Sequence, residues 1–116
     1  MSSGLPPARG EAWMADLGIG RGREQSGTRP VLIISVDAFN QSGAELVLAI
    51  PLTSRQKRIR THVEILPPEG GVTVPSYIKC EDMRSVSTER LLRLMGTVST
   101  STLSEVETRL RFLLGL

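Results

Sequence analysis

A lone arginine stands where a polar loop becomes an apolar strand. Arg29 follows Gly27, which gives a turn its conformational freedom, and precedes Pro30, which fixes φ and has no amide donor. The run Val31–Ile34 then predicts a buried β-strand. The Arg29 guanidinium is therefore expected at the rigid edge where the loop meets this strand. Its planar fork of donors suits a phosphate there, although a surface ion pair is the usual role of an arginine.

Arg29 belongs to a series of motifs that occur in a fixed order along the chain. Besides Gly27–Val31, these motifs are Arg9-Gly10-Glu11-Ala12-Trp13, Pro51-Leu52-Thr53-Ser54, Thr61-His62-Val63-Glu64-Ile65 and Cys80-Glu81-Asp82-Met83-Arg84-Ser85-Val86. Together they resemble the MazF/PemK family of toxin endoribonucleases, from about Arg9 to Leu116. The resemblance implies that Arg29 and Thr53 are the principal catalytic residues. The alternative for Thr53 is an ordinary strand-end threonine.

A basic segment follows Thr53 almost directly, with cations at Arg55, Lys57, Arg58 and Arg60. Such a run is more often only a solvated loop. Beside a reaction centre, however, it attracts RNA phosphates in a salt-sensitive way without recognising sequence. The loop before Arg29 offers an acid and an amide suited to base edges. The resemblance implies RNA contacts at Arg23, Glu24, Gln25, Ser54, Arg55, Lys57, Arg58, Lys79, Glu81 and Arg84.

The segment Lys79–Arg84 is expected to form a further wall of the RNA groove. PemK-like relatives carry a basic residue and an acid implicated in cleavage or substrate contact at the positions that match Lys79 and Glu81. Arg84 matches a family arginine that binds RNA or anchors the wall. A predicted strand from Ser76 to Met83 places Lys79, Glu81 and Met83 on one face, and simple exposure of that face is the alternative.

His62 is the only histidine of the chain, and it alternates with Val63 on a predicted strand. A histidine titrates near neutrality and suits a general base, but a structural or edge role is the favoured interpretation. One histidine and Cys80 cannot supply the nitrogen and sulfur ligands of a zinc site, and no carboxylate cluster has the spacing of a magnesium site. We predict a metal-independent enzyme without a cofactor.

The composition fits one small domain. The 116 residues are 40% hydrophobic, which is enough for a single modest core. We expect a flexible lead-in at residues 1–8 and one domain at residues 9–116. A net charge of +2 is too small by itself to indicate a nucleic-acid binder. The single cysteine excludes an internal disulfide, and without a membrane-spanning or signal segment a cytoplasmic location is expected.

Short apolar runs separated by turn signals predict a mainly β fold. The predicted strands are Gly10–Leu17, Val31–Val36, Leu46–Leu52, Thr61–Leu66, Ser76–Met83 and Gly96–Val98, with a helical turn near Thr88–Leu92. Thr102 and Glu105 form a predicted capping box that opens an amphipathic helix ending at Gly115. The class is α+β, mainly β, with a strongly bent antiparallel sheet or partial barrel on that helix. The resemblance implies an SH3-like barrel and a homodimer.

The expected function follows from the resemblance. It implies a type II toxin that cuts single-stranded RNA at a short sequence without the ribosome, and that a MazE-like, acidic, partly disordered antitoxin neutralises. Attack by the 2′-hydroxyl would leave 2′,3′-cyclic phosphate and 5′-hydroxyl ends. One alternative is a CcdB-like gyrase poison, which relies on a Trp-Gly-Ile terminus, whereas this chain ends Leu113-Leu114-Gly115-Leu116. Another is an RNA-binding relative that has lost cleavage.

Overall fold

The computed structural model describes residues 5–20, 22 and 25–116. Within these ranges one sheet of seven strands is followed by a C-terminal helix, and the predicted α+β, mainly β, class is confirmed. The elements are β1 (Glu11–Asp16), β2 (Thr28–Ile33), α1 (Asp37–Asn40), β3 (Leu46–Thr53), β4 (His62–Ile65), β5 (Ser76–Lys79), β6 (Arg84–Ser87), β7 (Leu91–Thr97) and α2 (Thr100–Leu114). In the part of the chain so described, no helix has the length and apolar character needed to cross a membrane.

The sheet is antiparallel, and β3 lies at its centre. The strand order is β4-β5-β3-β2-β1-β7, with β6 also paired to β3. β2 runs along one edge of β3, while β5 and β6 share the other edge. Leu32 faces a core beneath α2, and its neighbours Val31 and Ile33 face a second cluster with Val47. Because alternate side chains point to opposite faces, both faces of β2 are buried, which explains its continuous apolar run.

The start of β2 differs from the prediction. The strand begins at Thr28 rather than Val31, so Arg29 and Pro30 lie inside it. Arg29 pairs with Ala15 and Pro30 with Met14 of β1, whereas the pairing with β3 begins at Val31. Proline, which has no N–H, is tolerated where a neighbouring strand does not require that donor. Arg29 is thus fixed by the β1 ladder.

The predicted strand Ser76–Met83 begins at the correct residue but is too long. β5 ends at Lys79, a short 3-10 turn covers Cys80–Asp82, and β6 begins at Arg84. Residues 79–83 lie opposite only residues 50 and 51 of β3, so the extra residues bulge out of the ladder. Lys79, Glu81 and Met83 therefore do not share a strand face.

Cys80 gives the physical reason for this break. Ser76 through Cys80 are buried one after another, so the segment has no period-two alternation that would continue a half-exposed strand. Cys80 is 1% exposed and packs into the core beneath α2. Burial raises the pKa of its thiol to about 12, and the neighbouring Glu81 carboxylate acts in the same direction.

Other element boundaries also differ from the predicted ones. The turn predicted at Phe39–Gly43 overlaps the end of the short helix α1, which spans Asp37–Asn40. The last strand is longer than Gly96–Val98, since β7 begins at Leu91, directly after a 3-10 turn at Thr88–Arg90. The longer β7 extends the sheet, and the fold class is unchanged.

The C-terminal helix begins earlier than predicted. Its N-cap is Ser99, whose hydroxyl accepts the Thr102 N–H at 3.1 Å, so Thr102 lies in the first turn and is not the cap. Thr102 instead donates its hydroxyl to Glu69, and Glu69 also accepts the Ser99 N–H at 3.0 Å. Gly115 ends the helix in the left-handed conformation, at φ 72°.

The predicted apolar face of α2 is covered only in part. Val106 is fully buried, and Leu103 and Leu110 pack against the same core. Leu113 and Leu114, at the end of the helix, are exposed. The first turns of α2 therefore close the core, and the leucines of its last turn are left uncovered.

Glu69 is expected to stabilise the fold in a pH-dependent way. Burial raises its pKa, but the hydrogen bonds from Thr102 and Ser99 outweigh burial and hold the pKa below its ordinary 4.5. The stabilisation is present above that ordinary value and is lost as the pH falls through the lower folded-state pKa. Glu69→Gln should lower the free energy of unfolding by about 1 kcal/mol at neutral pH and by less in acid.

Urea unfolding from about pH 7 down to pH 3.5 measures this difference. Glu89→Gln changes an exposed carboxylate outside this cap and serves as the matched control. A Glu69→Gln protein with wild-type stability at neutral pH would contradict the proposed role.

Candidate functional site

A cavity of about 270 Å³ opens at one end of the sheet. β2 and β3 are antiparallel, so the start of β2 and the end of β3 meet at that end, and Arg29 is brought beside Thr53. His62, which begins β4, lies opposite Lys79, which ends β5. The described residues that line the cavity are Gln25, Arg29, Thr53, Ser54, Arg55, Lys57, His62 and Lys79.

The two predicted catalytic side chains are oriented by backbone groups. The Nε of Arg29 donates to the Ser26 carbonyl at 3.0 Å, and the residue remains exposed. The Thr53 hydroxyl accepts the Arg55 N–H at 3.1 Å. Because a hydroxyl has one donor and two acceptor positions, this bond leaves its proton able to be donated to a ligand.

Behind the cavity, Asp82 joins the loop before β2 to the turn before β6. Its Oδ2 accepts the Gln25 N–H at 3.0 Å and an Arg84 guanidinium N–H at 2.8 Å, and lies 3.9 Å from the Lys79 ammonium. Arg84 also donates to the Gln25 carbonyl at 3.1 Å. Lys79 in turn lies 3.4 Å from the amide oxygen of Gln25. We call Asp82 and Arg84 the Gln25 clamp.

His62 and Glu81 form a second support. The His62 ring is 4% exposed, and its Nε2 lies 2.8 Å from Glu81 Oε2, while Glu81 Oε1 accepts the Thr61 hydroxyl at 2.6 Å. Burial raises the pKa of Glu81, but the hydrogen bonds with Thr61 and His62 outweigh burial and hold it below its usual range. Glu81 is therefore ionised at neutral pH and can only accept hydrogen bonds. Nε2 of His62 is accordingly the donor in its contact with Glu81.

The structure brings most of the predicted site residues together. Gln25, Ser54, Arg55, Lys57 and Lys79 line the cavity with Arg29 and Thr53.

The remaining predicted residues lie elsewhere. Arg58, Glu81 and Arg84 are outside the described lining; Glu81 supports His62, and Arg84 anchors Gln25 from behind. Arg23 and Glu24 fall outside the described residues. For Arg84, the geometry favours the anchoring alternative over direct RNA contact.

The hydrogen-bond partners of His62 and Asp82 could not be predicted from the sequence. His62 was assigned a structural or edge role; the structure buries its side chain against Glu81 and places the residue in the cavity lining. Asp82 was not a candidate, although it holds Gln25 from 57 positions further along the chain. A carboxylate two residues before Arg84 was the available signal, but its partner in the loop could not be recognised without the fold.

The electrostatics of the cavity favour an anion. Its described lining contains Arg29, Arg55, Lys57 and Lys79 and no carboxylate. Arginine and lysine donors in a concave site attract phosphate groups. Over residues 5–20, 22 and 25–116, no group of three or more histidine, cysteine, aspartate or glutamate side chains is arranged to hold a metal ion.

The seven-stranded antiparallel sheet with its C-terminal helix matches solved structures of MazF-type toxins. MazF from Deinococcus radiodurans matches with a TM-score of 0.84 at 27% identity, over 97% of this chain and 100% of that one. A mycobacterial endoribonuclease in complex with its cognate antitoxin matches with a TM-score of 0.78 at 29% identity, over 95% of this chain and 96% of that one.

Sequence comparison narrows the class to a family. The chain is 33% identical over 113 residues to Endoribonuclease MazF9 of Mycobacterium tuberculosis, covering 93% of this chain and 96% of the relative. Residues 8–114 match the family model described as PemK-like, MazF-like toxin of type II toxin-antitoxin system. The chain belongs to this family.

Proposed function

We propose that this MazF-like endoribonuclease cleaves single-stranded RNA by attack of a ribose 2′-hydroxyl on the adjacent phosphate. The observation that carries the proposal is the meeting of Arg29 and Thr53 in one cationic cavity. Cleavage is independent of the ribosome and occurs within a short recognition sequence. The alternatives, a gyrase poison and a cleavage-deficient RNA binder, do not use the paired Arg29 and Thr53 for chemistry.

The reaction needs alignment and charge stabilisation. The 2′-hydroxyl loses its proton, its oxygen bonds to phosphorus, and the departing 5′-oxygen gains a proton as its bond to phosphorus breaks. The Arg29 guanidinium stabilises the negative charge on the phosphorane oxygens. Thr53 donates its hydroxyl to the 2′-oxygen or a phosphate oxygen and so holds the in-line geometry.

Arg29 acts through charge and hydrogen bonds rather than as a general base. A guanidinium has a pKa of about 12.5 or higher, so its deprotonation at neutral pH is costly. Its planar donor fork instead matches the equatorial oxygens of the phosphorane. The hydrogen bond from Nε to the Ser26 carbonyl leaves the two terminal nitrogens of this exposed residue for a phosphate.

Metal-independent cleavage is consistent with the charge of the cavity. A divalent cation placed beside Arg29 would also meet the cations Arg55 and Lys57 in the same lining. Like charges in a concave site repel, so the protein side chains themselves would supply the positive charge that the transition state requires.

Two protein partners belong to the proposed function. One is a MazE-like antitoxin, partly disordered and acidic, whose negative charge complements the exposed segment Arg55–Arg60. A solved mycobacterial relative is in complex with its cognate antitoxin, which supports this partner. The other is a second copy of the chain, since Phe112, Leu114 and Leu116 leave apolar surface exposed in one protomer.

The product ends test the mechanism. Purified protein should convert single-stranded RNA to fragments with 2′,3′-cyclic phosphate and 5′-hydroxyl ends, and EDTA should not prevent cleavage. Deoxyribose on the 5′ side of the scissile phosphate should block it, because the nucleophile is gone. Efficient cutting of that substituted RNA, or strict dependence on added magnesium, would mean that water attacks. Bound but uncut RNA would instead favour the cleavage-deficient alternative.

Arg29→Ala tests the main catalytic assignment. Loss of the guanidinium should slow RNA cleavage by at least about a hundredfold and relieve growth inhibition, because the phosphorane loses its main stabilising charge. The fold should persist, since Arg29 is exposed. Arg93→Ala, on exposed β7, is the matched control and should cleave at the wild-type rate. Unchanged cleavage by folded Arg29→Ala protein would remove Arg29 from the mechanism.

Homodimerisation is tested by light scattering over a dilution series. We expect a dimer at micromolar concentration, because the end of α2 leaves Phe112 76% exposed in the single chain. Phe112→Ser should shift the equilibrium toward monomer, while Thr108→Ser, at an exposed position of the same helix, should not. A strict monomer at all concentrations would refute the second copy as partner.

A further inference from the structure

Gln25 is held at both of its backbone polar groups by distant residues. Its N–H donates to Asp82 Oδ2 at 3.0 Å, and its carbonyl accepts from Arg84 at 3.1 Å. Asp82 and Arg84 are joined to each other at 2.8 Å, and their side chains are only 14% and 24% exposed. Partly buried charged hydrogen bonds of this kind are stronger than those of a surface pair. The clamp therefore fixes where the Gln25 side chain enters the cavity.

The orientation of the Gln25 amide is decided by Lys79. The Lys79 ammonium lies 3.4 Å from Gln25 Oε1. An ammonium has three donors and no acceptor, so the amide must turn its oxygen to Lys79, and the reversed orientation would oppose donor to donor. The NH₂ end of the amide is the part that Lys79 cannot engage. Gln25 thus presents hydrogen-bond donors to a ligand in the cavity.

This differs from the way in which a free glutamine recognises a base. A glutamine that uses both its oxygen and its NH₂ group matches adenine, which offers an acceptor and a donor side by side. Here the oxygen is engaged by Lys79, so the two-point match to adenine is disfavoured. An NH₂ donor meets a complementary acceptor at O4 of uracil or O6 of guanine. At the same position cytosine and adenine carry an amino group, which is a second donor.

We infer that the cavity contains a base subsite for a keto base, uracil or guanine, in which Gln25 donates to the exocyclic oxygen and Asp82 and Arg84 are positioning residues. Because Gln25 lines the same cavity as Arg29 and Thr53, the base belongs to a nucleotide that flanks the scissile phosphate. The inference rests on the proposed RNA cleavage and adds which bases are accepted beside the cut.

The first experiment uses the full chain and a single-stranded RNA pool with a randomised central stretch, and sequences the cleaved ends. Wild-type protein should show uracil and guanine enriched on the order of fivefold over cytosine and adenine at one of the two flanking nucleotides. Cleavage without such an excess at either nucleotide would overturn the keto subsite while leaving the nuclease intact. Failure to cleave the pool would overturn the proposed function and the subsite with it.

Variants of Gln25 test the donor itself. Gln25→Glu replaces the NH₂ group by an acceptor oxygen, so the preference at that nucleotide should reverse toward cytosine and adenine. Gln25→Met keeps the side-chain length and the backbone contacts of the clamp but removes the donor. The ratio of uracil and guanine to cytosine and adenine at that nucleotide should then fall to about one. Gln41→Glu, at an exposed position beside α1, is the matched control and should keep the wild-type ratio. An unchanged keto excess in Gln25→Glu would refute the assignment.

Asp82→Asn tests the clamp. The variant weakens the hydrogen bonds to the Gln25 N–H and to Arg84, so the side-chain amide of Gln25 should become mobile. The ratio of keto bases to cytosine and adenine at the flanking nucleotide should then fall toward one. The preference is a ratio measured within one sample, so a lower fraction of folded protein does not change it. A wild-type ratio in active Asp82→Asn protein would show that the clamp is structural only, and would remove Asp82 from the subsite.

Discussion

The arrangement of the site depends on the break between β5 and β6 opposite β3. At this break the chain leaves the ladder for the turn Cys80–Asp82 and then rejoins the same edge at Arg84. A continuous strand would have directed alternate residues to opposite faces. The turn instead sends Cys80 into the core, Glu81 to His62 and Asp82 to Gln25. Three consecutive residues thereby connect the hydrophobic core to two walls of the cavity.

Charges around the cavity are arranged in two layers. The described lining carries arginine and lysine side chains, while the carboxylates Glu81 and Asp82 lie behind it. Asp82 accepts a hydrogen bond from Arg84 and lies 3.9 Å from the Lys79 ammonium, while Glu81 Oε2 lies 2.8 Å from His62 Nε2. Among the cations of the lining, Arg29, Arg55 and Lys57 remain exposed. This separation keeps the cavity attractive to an anion, because the balancing negative charge is held at the rear and does not enter the cavity.

Much of this molecule could be predicted from its sequence, and the remainder has identifiable causes. Apolar runs located the strands, and Gly27–Val31 and Thr53 located the two strand ends that meet at the cavity. The break after Lys79 could not be predicted, since five successive buried residues carry no periodicity. The cap at Ser99 was missed because Ser99 and Thr102 are both good capping residues, and only the contact with Glu69 distinguishes them. The role of His62 required Glu81, a partner 19 positions away.

The burial of Cys80 has a practical consequence for biophysical work on this protein. The chain contains one cysteine, and a thiol that is 1% exposed with a pKa of about 12 carries almost no thiolate at neutral pH. Maleimide and iodoacetamide reagents react with accessible thiolates, so the native chain should react with them very slowly. A cysteine introduced on the exposed segment 54–60 could then carry a fluorophore or spin label at a single site, without first replacing a residue of the core.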